Sequence, residues 1–230
     1  SDQTPNLTGT LWVNTTLSMS QSITGDLTVP VGVTLTVAPG VVLTTSSSDF
    51  MQAGNDTGRV ELIVRGTLSA SASANPVTFS SSGASAGSWT GIRVEAGGTA
   101  NLTGVTIERA SSGIDANGNV TLANATFTTN TYGLRVTAGT STVATSFFTS
   151  NTYAIYGAAG SVSADHSTFV NNSYGVYSAG STGAVNATNS VITGNSYGLY
   201  RTGSVTITNT LVDLTAEQAA RLKQKPDTQF

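Results

Sequence analysis

The chain has 230 residues, of which only 9% are charged, with nine Lys and Arg against twelve Asp and Glu. The net charge of −3 argues against a nucleic-acid binder, which needs a basic surface to neutralise phosphates. The lack of cysteine excludes disulfides, thiol nucleophiles and Cys-based metal sites, and a single histidine excludes a multi-His metal site. No apolar run is long enough for a membrane-spanning helix, so we expect no membrane insertion.

The first half of the chain reads as short strands in which apolar and polar residues alternate. Residues 1–22 are predicted to cap one end of the fold, with Leu11, Trp12 and Val13 covering the open end of the core. The strands that follow are predicted at 23–29, 33–37, 41–43, 60–64, 66–68 and 76–79. Pro and Gly between them indicate tight turns.

The second half repeats itself every 20 to 23 residues. One position of the repeat, mostly Gly followed by an aliphatic residue, recurs at Gly91, Gly113, Gly133, Ala154, Gly175 and Gly198. A period this short is too small for a pair of helices or for a four-stranded propeller blade. Three short strands per period instead predict one coil of a parallel β-helix, in which each coil buries its apolar face by stacking on its neighbours. We therefore predict a β-helix of eight or nine coils over 23–214, and a short helix at 215–225 within a C-terminal tail, 215–230.

Stacked coils place equivalent residues one strand spacing apart, about 4.8 Å. Two apolar columns should therefore line the interior. The first consists of Ile92, Ile114, Leu134, Ile155, Val176 and Leu199, and the second of Ile107, Phe127, Phe148, Phe169, Ile192 and Val212.

Three features of the sequence resemble a known family. They are the alternating stretch at 27–40, the segment at 64–68 and the repeated Asn-x-Tyr-Gly-(Leu/Val)-Tyr phrases. They are similar to right-handed parallel β-helix repeat proteins of the pectate-lyase-like superfamily, and most similar to its non-enzymatic bacterial surface members. The resemblance implies the right hand of the helix. It says less about function, because this fold carries lyases, hydrolases, adhesins and spacers.

One outward column is the best candidate for a ligand-binding surface. Strand alternation turns the residue after each inner aliphatic position towards solvent. The column contains Arg93, Asp115, Arg135, Tyr156, Tyr177 and Tyr200. Exposed tyrosines can stack on sugar faces while their hydroxyls form hydrogen bonds. The alternative is a structural tyrosine ladder that fixes the register of the strands, and a sequence alone favours that interpretation.

The charged end of the column also has two interpretations. Asp115 between Arg93 and Arg135 should have a lowered pKa, which disfavours it as a proton donor. Glu95 lies on the same outward side and could pair with Asp115 as the two carboxylates of an inverting glycosidase. A structural ladder of ion pairs is the preferred interpretation.

Four other features are interpreted as structural. The recurring Asn130, Asn151, Asn172 and Asn195 predict an internal asparagine ladder, and Tyr132, Tyr153, Tyr174 and Tyr197 are expected to face inward or fill a corner. His166 falls in a column of small turn residues, with Asp165 expected on the opposite side of the strand. The loop at 45–59 contains Asp49, Asn55 and Asp56, for which a solvated turn is favoured over a calcium site.

These observations predict an extracellular β-helical binding or spacer module of a bacterial surface protein. It would be secreted or displayed at the cell surface as part of a larger protein. The expected partner is a polysaccharide or cell-surface glycan, and no cofactor, metal or catalytic residue is assigned. The main alternative is a polysaccharide lyase or glycosidase that uses Glu95, Asp115 and Arg93. A third is a trimeric or fibre-forming element whose exposed columns pack against other copies.

Overall fold

The computed structural model describes residues 7–179 and 183–213, and the regular elements in these ranges are all β-strands. The strands are β1 (Leu7–Thr10), β2 (Thr15–Leu17), β3 (Gln21–Val29), β4 (Thr34–Val37), β5 (Val42–Thr45), β6 (Glu61–Val64), β7 (Thr67–Ser71), β8 (Val77–Ser81), β9 (Trp89–Val94), β10 (Thr99–Thr103), β11 (Val105–Glu108), β12 (Ala110–Ala116), β13 (Asn119–Ala123), β14 (Thr126–Thr128), β15 (Tyr132–Val136), β16 (Thr140–Ala144), β17 (Phe147–Thr149), β18 (Tyr153–Gly157), β19 (Ser161–Asp165), β20 (Thr168–Val170), β21 (Tyr174–Ser178), β22 (Ala184–Thr188), β23 (Val191–Thr193), β24 (Tyr197–Arg201), β25 (Ser204–Thr208) and β26 (Leu211–Val212). The predicted helix at 215–225 lies outside the described residues. Within those residues, no helix is long and apolar enough to cross a membrane.

The strands form a parallel β-solenoid, as the repeat predicts. Three columns of strands run along it, each pairing in parallel with the next coil. The first face consists of β1, β3, β6, β9, β12, β15, β18, β21 and β24; the second face of β2, β4, β7, β10, β13, β16, β19, β22 and β25; the third face of β5, β8, β11, β14, β17, β20, β23 and β26. The second face is a separate nine-stranded sheet, whereas β3 joins the first and third faces at the N-terminal end. The three faces have nine, nine and eight strands, which is close to the eight or nine coils predicted, and the first coil includes residues predicted as a cap.

Both predicted interior columns are confirmed. Their residues occupy equivalent positions in successive strands, and all but Val212, which packs against the core at its edge, are buried. Phe148 stacks on Phe127 at 4.6 Å between ring centroids and on Phe169 at 5.1 Å. Side chains of similar type therefore stack in a continuous column along the core, so each coil buries its apolar face against the neighbouring coils.

A buried asparagine ladder runs beside the aromatic column, also as predicted. The side-chain amide of Asn130 donates to Oδ1 of Asn151 at 3.0 Å, and that of Asn151 donates to Oδ1 of Asn172 at the same distance. Each Oδ1 also accepts the backbone amide of the preceding asparagine in the ladder. These bonds satisfy polar groups at a corner where the strands do not pair, so the core loses little free energy there.

The N-terminal end differs from the prediction. Leu11 packs at the edge of the core, but Trp12 is 87% exposed and Val13 is 69% exposed. The expectation that Trp12 and Val13 cover the core is therefore wrong. The physical reason is that β1 and β2 already form a coil, pairing in parallel with β3 and β4, so this tryptophan and valine lie at an outer corner of the solenoid.

A second corner carries residues in the left-handed backbone region. His166 has φ = 48° there, and the same conformation recurs at Gly104, Asn124, Thr145, Asn189 and Asn209. The turn brings the His166 Nδ1 within 2.7 Å of the Asp165 carboxylate, so the expectation that the two side chains point apart is wrong. Strand alternation does not apply across this corner because the left-handed residue bends the chain from the second face into the third.

Candidate functional site

The six candidate ligand-binding residues form one continuous column on the first face. Strand register aligns Arg93 with Asp115, then Arg135, Tyr156, Tyr177 and Tyr200 in successive coils. The inner neighbours of all six are buried, so the six side chains project outward. The arrangement divides the first face into a charged half, in the earlier coils, and an aromatic half, in the later ones.

The three tyrosines of this column stack directly on one another. The Tyr177 ring lies 5.0 Å from that of Tyr156 and 4.7 Å from that of Tyr200, with planes within 15° of parallel. Both faces of the Tyr177 ring are therefore covered by protein. A sugar cannot stack on that ring, and what the ladder offers to solvent is a row of ring edges and hydroxyl groups.

The second set of tyrosines is not inside the solenoid. These residues stack on one another at 4.8 to 5.0 Å and meet the first set edge-on at 5.2 to 6.4 Å, so all seven tyrosines form one array on the outer surface. The sequence predicts that they face inward or fill a corner, and the inward alternative is wrong because strand alternation breaks in each coil. In β15, Gly133 and Leu134 are both buried, so Tyr132 and Arg135 both face outward. A Cβ at Gly133 would lie 2.7 Å from the Ala154 carbonyl oxygen, and glycine therefore permits this close approach.

The charged half is organised differently from the predicted Arg–Asp–Arg ladder. Arg93 forms ion pairs at 3.2 Å with Glu61 and with Glu95, rather than with Asp115. Asp115 pairs with Arg135 at 3.3 Å. The Arg93 guanidinium is drawn to the earlier coils because the buried carboxylate of Glu61 needs a counter-charge there.

Asp115 also departs from the predicted acidity. Burial raises the pKa of its carboxyl group above the ordinary value, and the nearby charges of Arg135 and Arg93 offset this only in part. The prediction of a lowered pKa is therefore wrong: desolvation disfavours the charged form more than the arginines favour it. The Oδ1 atom of Asp115 and the Nε atom of Arg93 are both buried, with no hydrogen-bond partner in the described part of the chain.

Two buried carboxyl groups near Arg93 were not predicted from the sequence. Asp26 is 4% exposed and Glu61 1% exposed, and Asp26 Oδ1 accepts the backbone amide of Glu61 at 2.7 Å. Burial raises the pKa of Asp26 to about 6, and the nearby charges of Asp49 and Glu61 add to the effect. A signal was present for Glu61, which is the one charged residue in the otherwise apolar stretch at 60–64, where an unpaired charge is costly.

The loop between β5 and β6 folds against this cluster and is not a simple solvated turn. Asp49 is buried and accepts the backbone amides of Met51 and Ala53 at 2.8 and 2.9 Å. The amide of Asn55 donates to the Glu61 carboxylate at 3.0 Å. The loop therefore uses its acids to hold its own backbone, and the described residues contain no group of three or more metal-ligating acids, histidines or cysteines.

Two open depressions flank Arg93. The larger, about 380 Å³, is bordered by Asp26, Met51, Arg65 and Glu95. The smaller, about 240 Å³, lies between Arg93, Asp115 and Arg135. The smaller one exists because Gly91 and Ser112 occupy the register positions that tyrosines fill from Tyr132 onwards.

Comparison with known proteins agrees with this architecture. A family model described as a right-handed β-helix region matches residues 66–212, which is more than half of the chain. The chain belongs to the right-handed β-helix family. No curated protein and no solved structure matches it.

Membership of the β-helix family fixes the architecture and the hand of the coils. It does not fix the chemistry, because β-helix proteins include both enzymes and non-enzymes, so the function has to be argued from the side chains of this chain. The first face of this β-helix protein holds the two depressions and the seven-tyrosine array.

Proposed function

We propose that this β-helix protein is a glycan-binding module, secreted or displayed on a bacterial surface as part of a larger protein. It binds a polysaccharide along the first face without cleaving it. The observation that carries the proposal is the smaller depression, where a buried donor, Arg93 Nε, and a buried acceptor, Asp115 Oδ1, both lack a partner. Once the two side chains rotate to turn these atoms towards the depression, a neighbouring pair of sugar hydroxyls can satisfy both, accepting from the guanidinium and donating to the carboxylate.

The charge of the site favours a neutral glycan over an acidic one. Arg93 is paired with Glu61 and Glu95, and Arg135 with Asp115. Arg65 pairs with Glu95 at 2.7 Å. Because the arginines of the site are already neutralised by carboxylates, a uronate chain would find no free cation to pair with and would approach several acids.

The tyrosine array supports an extended ligand. Tyr156, Tyr177 and Tyr200 continue the column of Arg93 and Asp115, one strand spacing at a time. A chain bound at the depression and lying along the solenoid axis would pass over their hydroxyl groups, which can donate and accept hydrogen bonds. These tyrosines would contact the ligand through their hydroxyl groups and ring edges.

Binding of soluble dextran, galactomannan and polygalacturonate, measured by titration calorimetry, tests the proposal. We expect a neutral polysaccharide to bind and Asp115→Asn to weaken it about tenfold, roughly 1.4 kcal/mol. Asp165→Asn is the matched control, since it makes the same change on the second face. Absence of binding to all three polymers, or equal effects of the two substitutions, would leave a spacer as the better interpretation.

One observation favours a second candidate, a glycosidase or polysaccharide lyase. Asp26 and Asp115 lie on the first face near Arg93, and burial raises the pKa of both, which is the property a general acid requires. Release of reducing ends or unsaturated products from the same three polymers between pH 5 and pH 7 would establish it. Stable polymers in the presence of measurable binding would exclude it for these substrates.

A further inference from the structure

The second face of the solenoid is a regular array of small uncharged polar side chains. The residues that share its central outward column are Thr16, Thr36, Ser69, Asn101, Thr121, Thr142, Ser163, Asn186 and Thr206. A second column, two residues earlier in each strand, contains Thr34, Thr67, Thr99, Asn119, Thr140, Ser161, Ala184 and Ser204. Every side chain in the two columns is a hydroxyl, an amide or a methyl group.

These side chains face solvent and are not used by the fold. In β16, for example, Thr140 and Thr142 are exposed while Ser141 and Val143 are buried, and the neighbouring strands follow the same alternation. The side-chain hydroxyl and amide groups of both columns form no hydrogen bond with any other described residue. The array is therefore available to something outside the protein.

The two columns are unusual for a soluble surface because neither contains a charged residue. About 25% of the residues of an ordinary soluble domain are Lys, Arg, Glu or Asp. The nearest acid, Asp165, lies in the adjoining row at the edge of the face. Aromatic residues are also absent from both columns, whereas the tyrosines gather on the first face. A charged ligand and a sugar surface recognised by aromatic stacking are both poorly suited to the second face.

The array is periodic in two directions. Register is unbroken in all of the pairings that build the second face, whereas the first face has register shifts beside Gly113 and near Gly9. Equivalent side chains therefore recur about every 4.8 Å along the solenoid and about every 6.6 Å along each strand. The oxygen atoms of hexagonal ice also repeat in one plane on two perpendicular periods, of which the shorter is close to the coil spacing and the longer is somewhat greater than the two-residue spacing along a strand.

We propose that the second face binds ice. Threonine presents a hydroxyl group that can occupy a water position and a methyl group that favours ordered water beside it. Because the coils fix both columns rigidly, the array holds water in a lattice-like arrangement without a large loss of side-chain freedom. The lack of charges matters as well, since a charged group would orient its own hydration shell and disturb that arrangement.

Ice growth in the presence of the whole protein tests the proposal. We expect the protein to slow ice recrystallisation and to be taken up into a slowly growing ice hemisphere. The double variant Thr121→Lys with Thr142→Lys places two long cations in the middle of the central column and should lose most of both effects. The control, Thr128→Lys with Thr149→Lys, puts the same charges on the same two coils but on the third face.

Each outcome of these experiments either supports or overturns the proposal. Loss of activity in the second-face variant alone supports the proposal. Equal loss in both variants, or no effect of the wild-type protein on ice, overturns it. Adsorption of the wild-type protein to crystalline cellulose or chitin, with no effect on ice, would instead assign the face to a solid polysaccharide. None of these results depends on the depression beside Arg93, so the glycan proposal for the first face stands or fails independently.

Discussion

Tyr177 lies face to face with Tyr200, their ring centroids 4.7 Å apart and their planes 15° from parallel. It also meets the edges of Tyr153 and Tyr174 at 5.3 and 5.4 Å. Aromatic pairs of this kind contribute about 0.5–1.5 kcal/mol each beyond the area they bury. The tyrosine array therefore stabilises the later coils, whether or not it also touches a ligand.

Two substitutions at Tyr177 separate these roles. We expect Tyr177→Ala to lower the free energy of unfolding by about 2–4 kcal/mol, because it removes several ring contacts at once. Tyr177→Phe keeps the ring and should cost less than about 1 kcal/mol, yet it deletes the hydroxyl group proposed to meet a glycan. Urea unfolding and calorimetric titration measure the two quantities. If Tyr177→Phe binds as the wild type does, that hydroxyl takes no part in binding.

Asp26 predicts a pH dependence of stability. Its pKa of about 6 in the folded protein exceeds the ordinary value of 3.8, so the folded state holds this proton more tightly than the unfolded state. The favourable contribution of Asp26 is complete below about pH 4 and is lost as the pH rises through about 6. Asp26→Asn keeps an acceptor for the Glu61 amide and carries no charge. We therefore expect this variant to be as stable as the wild type near pH 4, and more stable by at most about 3 kcal/mol at pH 8.

Urea unfolding across pH 4 to 8 measures that difference. Asp165→Asn is the control. The pKa of Asp165 is lowered to about 2, mainly by the hydrogen bond from His166 and then by those from Thr188 and Asn189. Its contribution is present above about pH 4 and is lost only as the pH falls towards 2, so the ionisation of Asp165 itself adds no pH dependence between pH 5 and pH 8. A constant difference for Asp26→Asn as well would contradict the assigned pKa.

Ser112 tests whether the smaller depression is the binding site. This residue stands in register with Tyr132, at a position where four later coils carry tyrosine. Ser112→Tyr should extend the ring stack by one residue and fill the depression beside Arg93, abolishing polysaccharide binding while the free energy of unfolding falls by no more than about 1 kcal/mol. Thr128→Tyr, on the third face, should leave binding unchanged. Full binding by Ser112→Tyr would move the site elsewhere.

The asparagine ladder should be among the least replaceable features of the core. Asn172→Ala removes the acceptor for two donors of Asn151 and the donor to the carbonyl groups of Phe148 and Val170. Leaving such buried groups unpaired costs about 1–3 kcal/mol for each one, so we expect a loss of at least about 3 kcal/mol. The exposed Asn101 on the second face is the matched control, and Asn101→Ala should change stability by less than about 0.5 kcal/mol.

The sequence predicts this fold well where the repeat is regular. A fixed period aligns Phe127, Phe148 and Phe169 without any knowledge of coordinates, and it also aligns the asparagines. The prediction fails where a local feature breaks the repeat. Two consecutive buried residues in β15 turn Tyr132 outward, and a left-handed corner brings His166 back to Asp165. Neither effect follows from simple strand alternation.

The candidate site was predicted less completely for a different reason. The column from Arg93 to Tyr200 comes directly from the period, but Asp26 and Glu61 lie in coils of irregular length, where equivalent positions could not be counted. The balance between desolvation and charge at Asp115 depends on burial, which spacing alone does not give. Which carboxylates form ion pairs with Arg93 likewise depends on how deeply each neighbouring carboxylate is buried.

Tryptophan and the stacked tyrosines occupy different coils along the solenoid axis, so their spectroscopic signals report separately on the unfolding of those coils. Trp89 is buried in an early coil, where its indole donates to the Glu108 carbonyl oxygen at 2.8 Å, while the stacked phenols occupy only the later coils. Close parallel phenols couple electronically and should give an intense near-ultraviolet circular dichroism band. In a Trp12→Phe variant, which leaves Trp89 as the one tryptophan, fraying from the carboxyl end would remove that band while the emission wavelength of Trp89 stayed unchanged, and unravelling from the amino end would reverse the order.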